Sequence, residues 1–570
     1  MVDVPWEVIE NDEAAARRLS EEAGVPVVVA QLLLNRGVST SGEVEQFLNP
    51  SLAHLHDPSL LPDLDVGVER LAKAVESGEK ICVHGDYDVD GVTSTALLVR
   101  TLRALNADVD YRLPHRKKEG YGIRTAAVEE IAGNGVGVIV TCDCGITACE
   151  TVDRANELGI DVIVTDHHEP GPELPRAVAV INPKREDATY PFPELAGVGV
   201  AFKFAQGLVR KLGLNEESFQ SRFIDLAALG TVGDVVPLVG ENRTIVTHGL
   251  KAIPVSNKLG FQTMLKSTGL EGKPMTAYYL AFVLGPRINA VGRMDDASSA
   301  LKLFLTRDEA EARTLMVEME RHNTERKVEQ NRIFEEAVEQ AESKDLSALR
   351  VLVLSSDSWN TGVVGIVASK IAEKYTRPAI IINRDDVSGF GHGSARSIDG
   401  FNMLEGLRHC HDLLAGYGGH TLAAGMSVQL DNLQAFEDKI NEYALDMIPE
   451  EVLAPRVIAE VEINAADINR KLVDILALME PFGMGNPEPL FITRNLNVLQ
   501  RQRVGDGSHL RLQVQGKDAS PISCIAFGMG DAADIIELGG SIDLCYSIRL
   551  NVYNGIESVQ MIGKAIRLSS

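Results

Sequence analysis

Apolar positions recur at helical spacing through the first fifty residues. Glu13–Ala23, Pro26–Arg36 and Gly42–Leu48 each read as a helix with a turn between, which predicts a small helical cap over residues 1–50. From Lys80 the pattern changes to short apolar runs rich in β-branched residues: Lys80–His84, Asp108–Leu113, Gly137–Thr141, Asp161–Thr165 and Ala177–Ile181. Segments with helical spacing lie between them, among them Val92–Leu105, Thr125–Ala132 and Thr147–Leu158. Repeated strand–helix–strand units predict a mainly parallel sheet covered on both faces, and a helical stretch follows from Val198 to about Gly230.

Arg307–Ser343 has few Gly or Pro and is dense in Glu, Arg, Lys and Ala. It predicts one helix, roughly 55 Å long at about 1.5 Å per residue. Charges circle most of it, so it is expected to be a solvent-bathed spacer. A second α/β segment runs Arg350–Leu430, with strands at Arg350–Leu354 and Pro378–Ile382. Beyond Pro455 helices thin out, and Val457–Ile463, Leu496–Gln502, His509–Gln515 and Ile542–Val552 suggest a small β-barrel. The chain is therefore read as a multidomain α/β protein: a cap at 1–50, a parallel-sheet domain at 51–306, a connecting helix at 307–345, a second α/β domain at 346–450 and a barrel at 455–570.

Composition narrows the class. Hydrophobic residues at 45% and charged residues at 24% of 570 exclude a disordered chain. No apolar run reaches the ~18–20 residues that span a bilayer. The acidic start (Asp3, Glu7, Glu10, Asp12, Glu13) lacks the basic region of a secretory signal, so a cytoplasmic protein without membrane partners is expected. Seven scattered cysteines argue against a disulfide framework. Cys142, Cys144 and Cys149 have no second Cys/His pair at zinc spacing and read as reduced residues near a strand end. The formal charge of −26 repels polyanions in general. A nucleic-acid partner would need either divalent cations on a carboxylate cluster or basic residues gathered in one groove.

Both features are present. Val83-His84-Gly85-Asp86-Tyr87-Asp88-Val89-Asp90-Gly91 follows a buried strand and opens a helix. A strand-end turn or helix cap uses one carboxylate, and neighbouring carboxylates repel, so three alternating aspartates point to a divalent cation. An EF-hand loop is the competing pattern, but its glutamate at position 12 is missing. Later segments end in the same chemistry: Asp143 after Ile139–Cys142, Asp166-His167-His168 after Ile163–Thr165, and Asp234 after Gly230–Gly233. In an open parallel sheet these ends converge, because ligands bind outside the carboxyl ends of the strands. Mixed carboxylate and imidazole ligands suit Mn²⁺ or Mg²⁺, and two ions sharing a carboxylate form the arrangement that hydrolyses phosphoesters.

These residues, in this order, resemble the motif series of the DHH phosphoesterase superfamily. Gly416-Tyr417-Gly418-Gly419-His420 resembles the glycine-glycine-histidine motif of its DHHA1 domain. Gly285–Arg293 and Pro481–Pro489 are similar to segments of the single-strand-DNA-specific 5′→3′ exonucleases of that superfamily. The resemblance extends over essentially the whole chain, and it implies a DHH domain, a DHHA1 domain and an oligonucleotide-binding (OB-like) barrel. It implies two metal ions, one held by His84, Asp88 and Asp143 and one by Asp90, Asp143, His167 and Asp234. His168 would face the scissile phosphate, Asp166 would orient its neighbouring histidine, and Asp86 would support from behind. Asn360 departs from the family, whose members commonly carry histidine there. A single-strand-binding protein is an implied partner.

Basic residues sit where phosphate would. Tyr111–Lys118 contains Arg112, Arg116, Lys117 and Lys118 beside the metal segment. Arg287, Arg293 and Arg396 lie in glycine-containing segments read as loops, Asn289, Gly419 and His420 are further substrate-binding candidates, and Arg116, Ser394 and Arg396 are candidates for a terminal-phosphate pocket. Arg494, Arg501, Arg503 and Arg511 gather in the barrel. Aromatic residues make up only 5%, so base stacking should be modest. All metal-ligand candidates precede residue 240, so the barrel is expected to serve binding rather than chemistry. Two other functions stay open at this level: a DHH/DHHA1 phosphodiesterase of short oligonucleotides or cyclic dinucleotides, and a non-catalytic DNA-binding scaffold.

Overall fold

A short strand, β1 (Trp6–Val8), and the helices Glu13–Ala23, Val27–Leu34 and Ser41–Leu48 open the chain. The computed structural model describes residues 4–116, 118–294, 296–553 and 555–569, so Lys117 of the basic run lies outside the described residues. Thr40 starts the third helix with a reciprocal cap, accepting from the Glu43 N–H while the Glu43 carboxylate accepts from the Thr40 N–H.

Five strands form a wholly parallel sheet in the order β3-β2-β4-β5-β6: β2 (Ile81–His84), β3 (Val109–Arg112), β4 (Val138–Cys142), β5 (Asp161–Thr165) and β6 (Ala179–Ile181). Residues of β2 and β4 are buried throughout, which is why they read as unbroken apolar runs. The helices Val89–Ala104, Gly197–Lys211 and Glu216–Gly233 pack together on this sheet in one large core. The chain leaves β2 for β3 on one side and meets β4 on the other. The crevice at the carboxyl ends of β2 and β4 is therefore the topological switch point.

The helix Glu309–Glu342 is present at nearly its expected length, about 51 Å at 1.5 Å per residue. It is not solvent-bathed on all sides. Ala312, Met316, Met319, Asn323, Gln330, Ile333, Ala337 and Ala341 form a buried stripe. The first half of the stripe joins the core of the parallel-sheet unit, and Ile333, Ala337 and Ala341 join that of the following unit. The charge count concealed this because small and polar residues fill much of the stripe.

The second unit is a mixed sheet in the order β10-β11-β9-β8-β7, built from β7 (Leu352–Ser356), β8 (Ala379–Asp385), β9 (Phe390–Arg396), β10 (Leu414–Gly419) and β11 (Ala423–Gln429). Arg396 therefore ends a strand, and Arg287 and Arg293 lie on the helix Gly285–Met294. The expectation of loops at these positions is corrected, because the glycines there permit close packing rather than turns: a Cβ on Gly292 would stand 2.8 Å from the Tyr87 carbonyl oxygen.

Beyond residue 455, β12 (Val457–Ala459) pairs with β1, and β13 (Val461–Glu462) pairs with β14 (Phe491–Val504). β14, β15 (His509–Gln515), β16 (Ile522–Ala526), β18 (Ile556–Leu568) and β17 (Ser541–Tyr553) then close into a five-stranded barrel through the β14–β17 pairing. The N-terminal helices share this barrel's core: Val29, Leu32, Leu33 and Phe47 cluster with Leu472, Leu476, Leu510 and Leu544. Two buried arginines lock the arrangement. Arg36 pairs with Glu460 at 2.7 Å and donates to Asn486 Oδ1 at 2.6 Å. Arg243 donates to the carbonyls of Phe47, Leu478 and Met479, at 2.8–2.9 Å, so one guanidinium caps the ends of two helices from opposite termini of the chain.

Candidate metal centre

The strand-end residues do converge. Asp143 adopts φ 60°, a left-handed conformation that aspartate tolerates, as the chain turns out of β4. Asp88 caps the Val89–Ala104 helix by accepting from the Gly91 N–H at 3.0 Å. Asp90, on the first turn, accepts from the N–H groups of Gly197 and Val198 at 2.6 and 2.8 Å, the free donors at the start of the Gly197–Lys211 helix. Asp234 ends the Glu216–Gly233 helix. Two glycines make room for these carboxylates: a Cβ on Gly197 would stand 2.7 Å from Asp143 Oδ1, and one on Gly230 would stand 2.9 Å from Asp90 Oδ1.

His167 lies at the middle of the cluster. Its Nε2 is 3.2 Å from Asp143 Oδ1, 3.5 Å from Asp234 Oδ2 and 3.9 Å from Asp90 Oδ2. Asp90, His167 and Asp234 form one triad able to hold a cation, and Asp143, His167 and His168 form another. His84 and Asp88 stand outside both triads. His84 is fully buried with Nε2 unpartnered, and Asp143 Oδ1, Asp234 Oδ2, Asp86 Oδ1 and both His167 ring nitrogens also lack hydrogen-bond partners. Buried polar atoms are normally paired, so this concentration of orphans fits missing metal bonds.

The electrostatics agree. Burial and mutual repulsion hold the Asp86, Asp143 and Asp234 carboxyls well above the usual carboxylate range and push Asp90 up to about 7. Burial, with a nearby positive charge, drives His84 and His167 down to about 3, so both are neutral imidazoles, the form that binds metal. Asp166 behaves differently. It accepts from the N–H groups of Ile146, His167 and His168 and meets His168 Nδ1 at 2.8 Å. Burial opposes its charge, but the His168 hydrogen bond, the charges of both histidines and the Ile146 N–H together outweigh this and lower its pKa. His168 is raised, because its bond to Asp166 and the surrounding carboxylates overcome its burial.

A pH test follows from these directions. Without metal, a carboxyl whose native pKa is raised contributes stability below its unfolded value and loses it as pH rises through the native one, here between about 4 and 7 for Asp90. A bound cation removes that penalty. The rise in Tm on adding Mn²⁺ is therefore expected to be several degrees larger at about pH 8 than at about pH 6. Equal rises at both would show that these carboxylates do not hold the ion.

The neighbourhood also contains residues that sequence reasoning missed. Tyr121 donates to the Asp143 carbonyl at 3.0 Å and lies 2.9 Å from His168 Nδ1. Its only sequence signal is the pair of flanking glycines, Gly120 and Gly122, both at positive φ. Tyr87 links the aspartate segment to the arginines, with Arg116 stacked 5.0 Å from its ring. Burial and the charge of Arg116 lower both Arg293, to about 10, and Arg396, and among the described residues no carboxylate pairs with either. Ser394 and Arg396 flank Gly365 at the start of the Val364–Tyr375 helix. Arg116, Arg293, Ser394 and Arg396 thus gather across the junction of the two α/β units.

Other candidates have internal partners. Arg287 pairs with Glu320 at 2.7 Å, and Asn289 accepts from the Val89 N–H at 3.1 Å, fixing the start of the metal-bearing helix. Gly419 and His420 form an exposed hairpin end in which the His420 N–H donates to the Ala423 carbonyl. Asn360 Oδ1 accepts from the Gly362 N–H at 2.8 Å, an entry turn to the same Val364–Tyr375 helix. In the barrel, Arg494 pairs with Glu462 and Arg503 with Asp534, and Arg501 donates to the carbonyls of Ala533 and Ile536. Arg511 remains, on a groove of about 520 Å³ with Gln500, Gln502 and Gln513.

One contact was not foreseen at all. Val235, directly after Asp234, holds φ 63°, and the Leu238 N–H donates to the Met484 carbonyl at 2.7 Å. A Cβ on Gly483 would meet Leu238 at 2.7 Å, and one on Gly485 would meet Pro237 at 3.0 Å. The Pro481–Pro489 segment is thus a clasp on the turn that presents Asp234.

Comparison with known proteins agrees with this architecture. Residues 80–231 match the DHH family, N-terminal domain, 348–446 the DHHA1 domain and 459–565 the RecJ OB domain. The single-stranded-DNA-specific exonuclease RecJ of Bacillus subtilis is 37% identical over 565 residues, covering 99% of this chain and 71% of that protein. The chain belongs to the RecJ family. The RecJ of Escherichia coli is 34% identical over 558 residues, covering 95% of this chain and 96% of that one. The crystal structure of RecJ in complex with Mn²⁺ from Thermus thermophilus superposes with a TM-score of 0.85 at 32% identity, covering 100% of this chain and 80% of that one, and that RecJ was also solved with Mg²⁺. The RecJ family thus brings a parallel-sheet DHH unit, a DHHA1 unit and an OB barrel, as the fold here has. Among the described residues, no helix is long and apolar enough to cross a membrane.

Proposed function

We infer that the chain is a metal-dependent exonuclease specific for single-stranded DNA, and we propose that it degrades linear strands from the 5′ end with two divalent ions. The carrying observation is the set of unpartnered ligand atoms on Asp143, His167 and Asp234 at the switch point of the sheet. In this reading Asp90, Asp143, His167 and Asp234 hold one ion, and His84, Asp88 and Asp143 hold the other. Mn²⁺ or Mg²⁺ there supplies the Lewis acidity that activates water and neutralises phosphate charge.

The chain's own side chains do the positioning. With its cationic form favoured by Asp166, the His168 imidazole offers its free ring edge to the scissile phosphate, and Tyr121 braces that ring against the Asp143 backbone. Asp86 accepts backbone N–H groups of Tyr87 and Gly122 and so supports the ligand loop from behind. Arg116, Arg293, Ser394 and Arg396 form the pocket for the strand's terminal phosphate, with guanidiniums suited to bidentate contact. The barrel groove at Arg511 leads the strand in, and a single-strand-binding protein is the proposed partner, in cytoplasmic DNA repair and recombination.

End-labelled single strands, incubated with Mn²⁺ or Mg²⁺ and with EDTA, test the reading. Linear strands should shed mononucleotides from the 5′ end only when the metal is present, and closed circles should resist. Cleavage of circles would make the enzyme an endonuclease. Arg396→Ala should raise KM roughly tenfold for 5′-phosphorylated strands and much less for 5′-hydroxyl strands, since about 1–2 kcal/mol of charge-assisted contact is lost only with the former. Equal changes would make Arg396 a general backbone contact.

A further inference from the structure

Arginines converge at a second place, away from the metal centre. Arg100, Arg103, Arg222 and Arg307, with Phe223, line a cavity of about 360 Å³, and no acidic side chain lines it. Arg100 and Arg103 stand near the end of the Val89–Ala104 helix, Arg222 is in the second turn of the Glu216–Gly233 helix, and Arg307 lies between the Ser298–Leu305 helix and the long helix. Arg100 donates to the Phe304 carbonyl at 2.6 Å, and Arg103 lies 5.9 Å from the Tyr111 ring. Asp225, the nearby acid, is committed to a buried pair with Lys258 at 2.8 Å and to Ser256.

This is unusual for the molecule. With 81 acidic against 55 basic residues, surface arginines such as Arg154, Arg176, Arg210 and Arg332 each hold a carboxylate. Here burial and repulsion by Arg222, Arg307 and Arg103 together lower the pKa of Arg100. In the other arginine pocket, burial and the charge of Arg116 likewise lower Arg293 and Arg396. The two places are distinct. Arg100 follows Asp90 by about 15 Å of helix, and Arg222 precedes Asp234 by about 18 Å, so the cavity joins the far ends of two metal-bearing helices.

We propose that this cavity binds a small, multiply charged phosphate anion of the pyrophosphate type, such as the polyphosphate of a nucleotide. Guanidinium forks match phosphate oxygens bidentately, and the volume is at the lower end of small-ligand sites. An anion there would clamp the Val89–Ala104 helix to the Glu216–Gly233 helix and stiffen both supports of the metal centre.

Calorimetric titration of metal-free Arg396→Ala protein with pyrophosphate tests this, because that background weakens the other arginine pocket by one guanidinium. One binding event is expected, weakened roughly tenfold or more by adding Arg222→Glu or Arg307→Ala, since each removes a charge-assisted phosphate contact, and tenfold corresponds to about 1.4 kcal/mol. Both positions are exposed, so the folds should hold, and Tm without ligand checks it. No binding, or equal affinity in all three proteins, overturns the proposal. It also fails if Arg222→Glu spares pyrophosphate binding but raises KM for long single strands, which would make the patch a strand contact.

Discussion

Asp143→Asn is expected to reduce nuclease activity by about 10³-fold or more while raising the stability of the metal-free protein. Losing an outer-shell partner of a metal site costs about 10–100-fold, and a residue proposed to bridge two ions should cost more. The opposite sign in stability follows from the site's electrostatics. Asp143 is buried beside Asp90, Asp88, Asp234 and Asp86, and its charge is disfavoured by burial and by all four. Neutralising it relieves repulsion that only a cation otherwise offsets. Asparagine is the right substitute, because residue 143 sits at φ 60° and alanine there would add about 1–2 kcal/mol of backbone strain. The variant should melt higher than wild type without metal, and Mn²⁺ should no longer raise its Tm. Near-wild-type activity, or an unchanged Mn²⁺ response, would sink the two-ion assignment.

Removing residues 455–570 should impair chemistry as well as strand binding. The expectation from sequence was that the barrel only binds, because every metal-ligand candidate precedes residue 240. The clasp of Met484 on Leu238 changes that expectation, since it braces the turn that presents Asp234. Deletion also strips two of the three carbonyl partners from Arg243 and exposes Val29, Leu32, Leu33 and Phe47, which share the barrel's core. A truncated chain should therefore aggregate, or hydrolyse even di- and trinucleotides at least about 10²-fold more slowly. Gly485→Ala is the milder version. Its φ of 71° and the 3.0 Å approach to Pro237 would push the clasp off the turn, lowering kcat and Mn²⁺ affinity more than it raises KM. A truncated protein that degrades short oligonucleotides at the full rate would return the barrel to a purely binding role.

Much of the site was readable from local pattern. His84, Asp86, Asp88, Asp90, Asp143, Asp166, His167, His168 and Asp234 all fall at strand or helix ends, where polar residues interrupt apolar runs. The rule that parallel strands open their carboxyl ends to ligands then converts order in sequence into proximity in space. The helices and most strands were legible for the same reason: a buried face imposes a period. β1, β9, β10, β11, β16 and β18 were missed: glycines dilute the strand signal in β9–β11, β1 and β16 are short, and polar residues interrupt β18.

Tertiary structure decided what periodicity does not encode. Which neutral residue completes a site depends on distance alone, so Tyr121 and the Met484 carbonyl left no compositional trace, and Asn289 proved to anchor a helix start. The pairing of the N-terminal helices with the barrel joins segments more than 400 residues apart, and their matching apolar faces specify it together with the Arg36 contacts to Glu460 and Asn486. Arginine identity is equally silent about role. Arg287 and Arg494 are neutralised by carboxylates, whereas Arg116, Arg293 and Arg396 meet no carboxylate among the described residues at the junction of the two α/β units. Sequence determines how many charges of each sign the chain carries and which element bears them. Packing of those elements decides which charges find partners, and the ones left without partners are those positioned to meet phosphate.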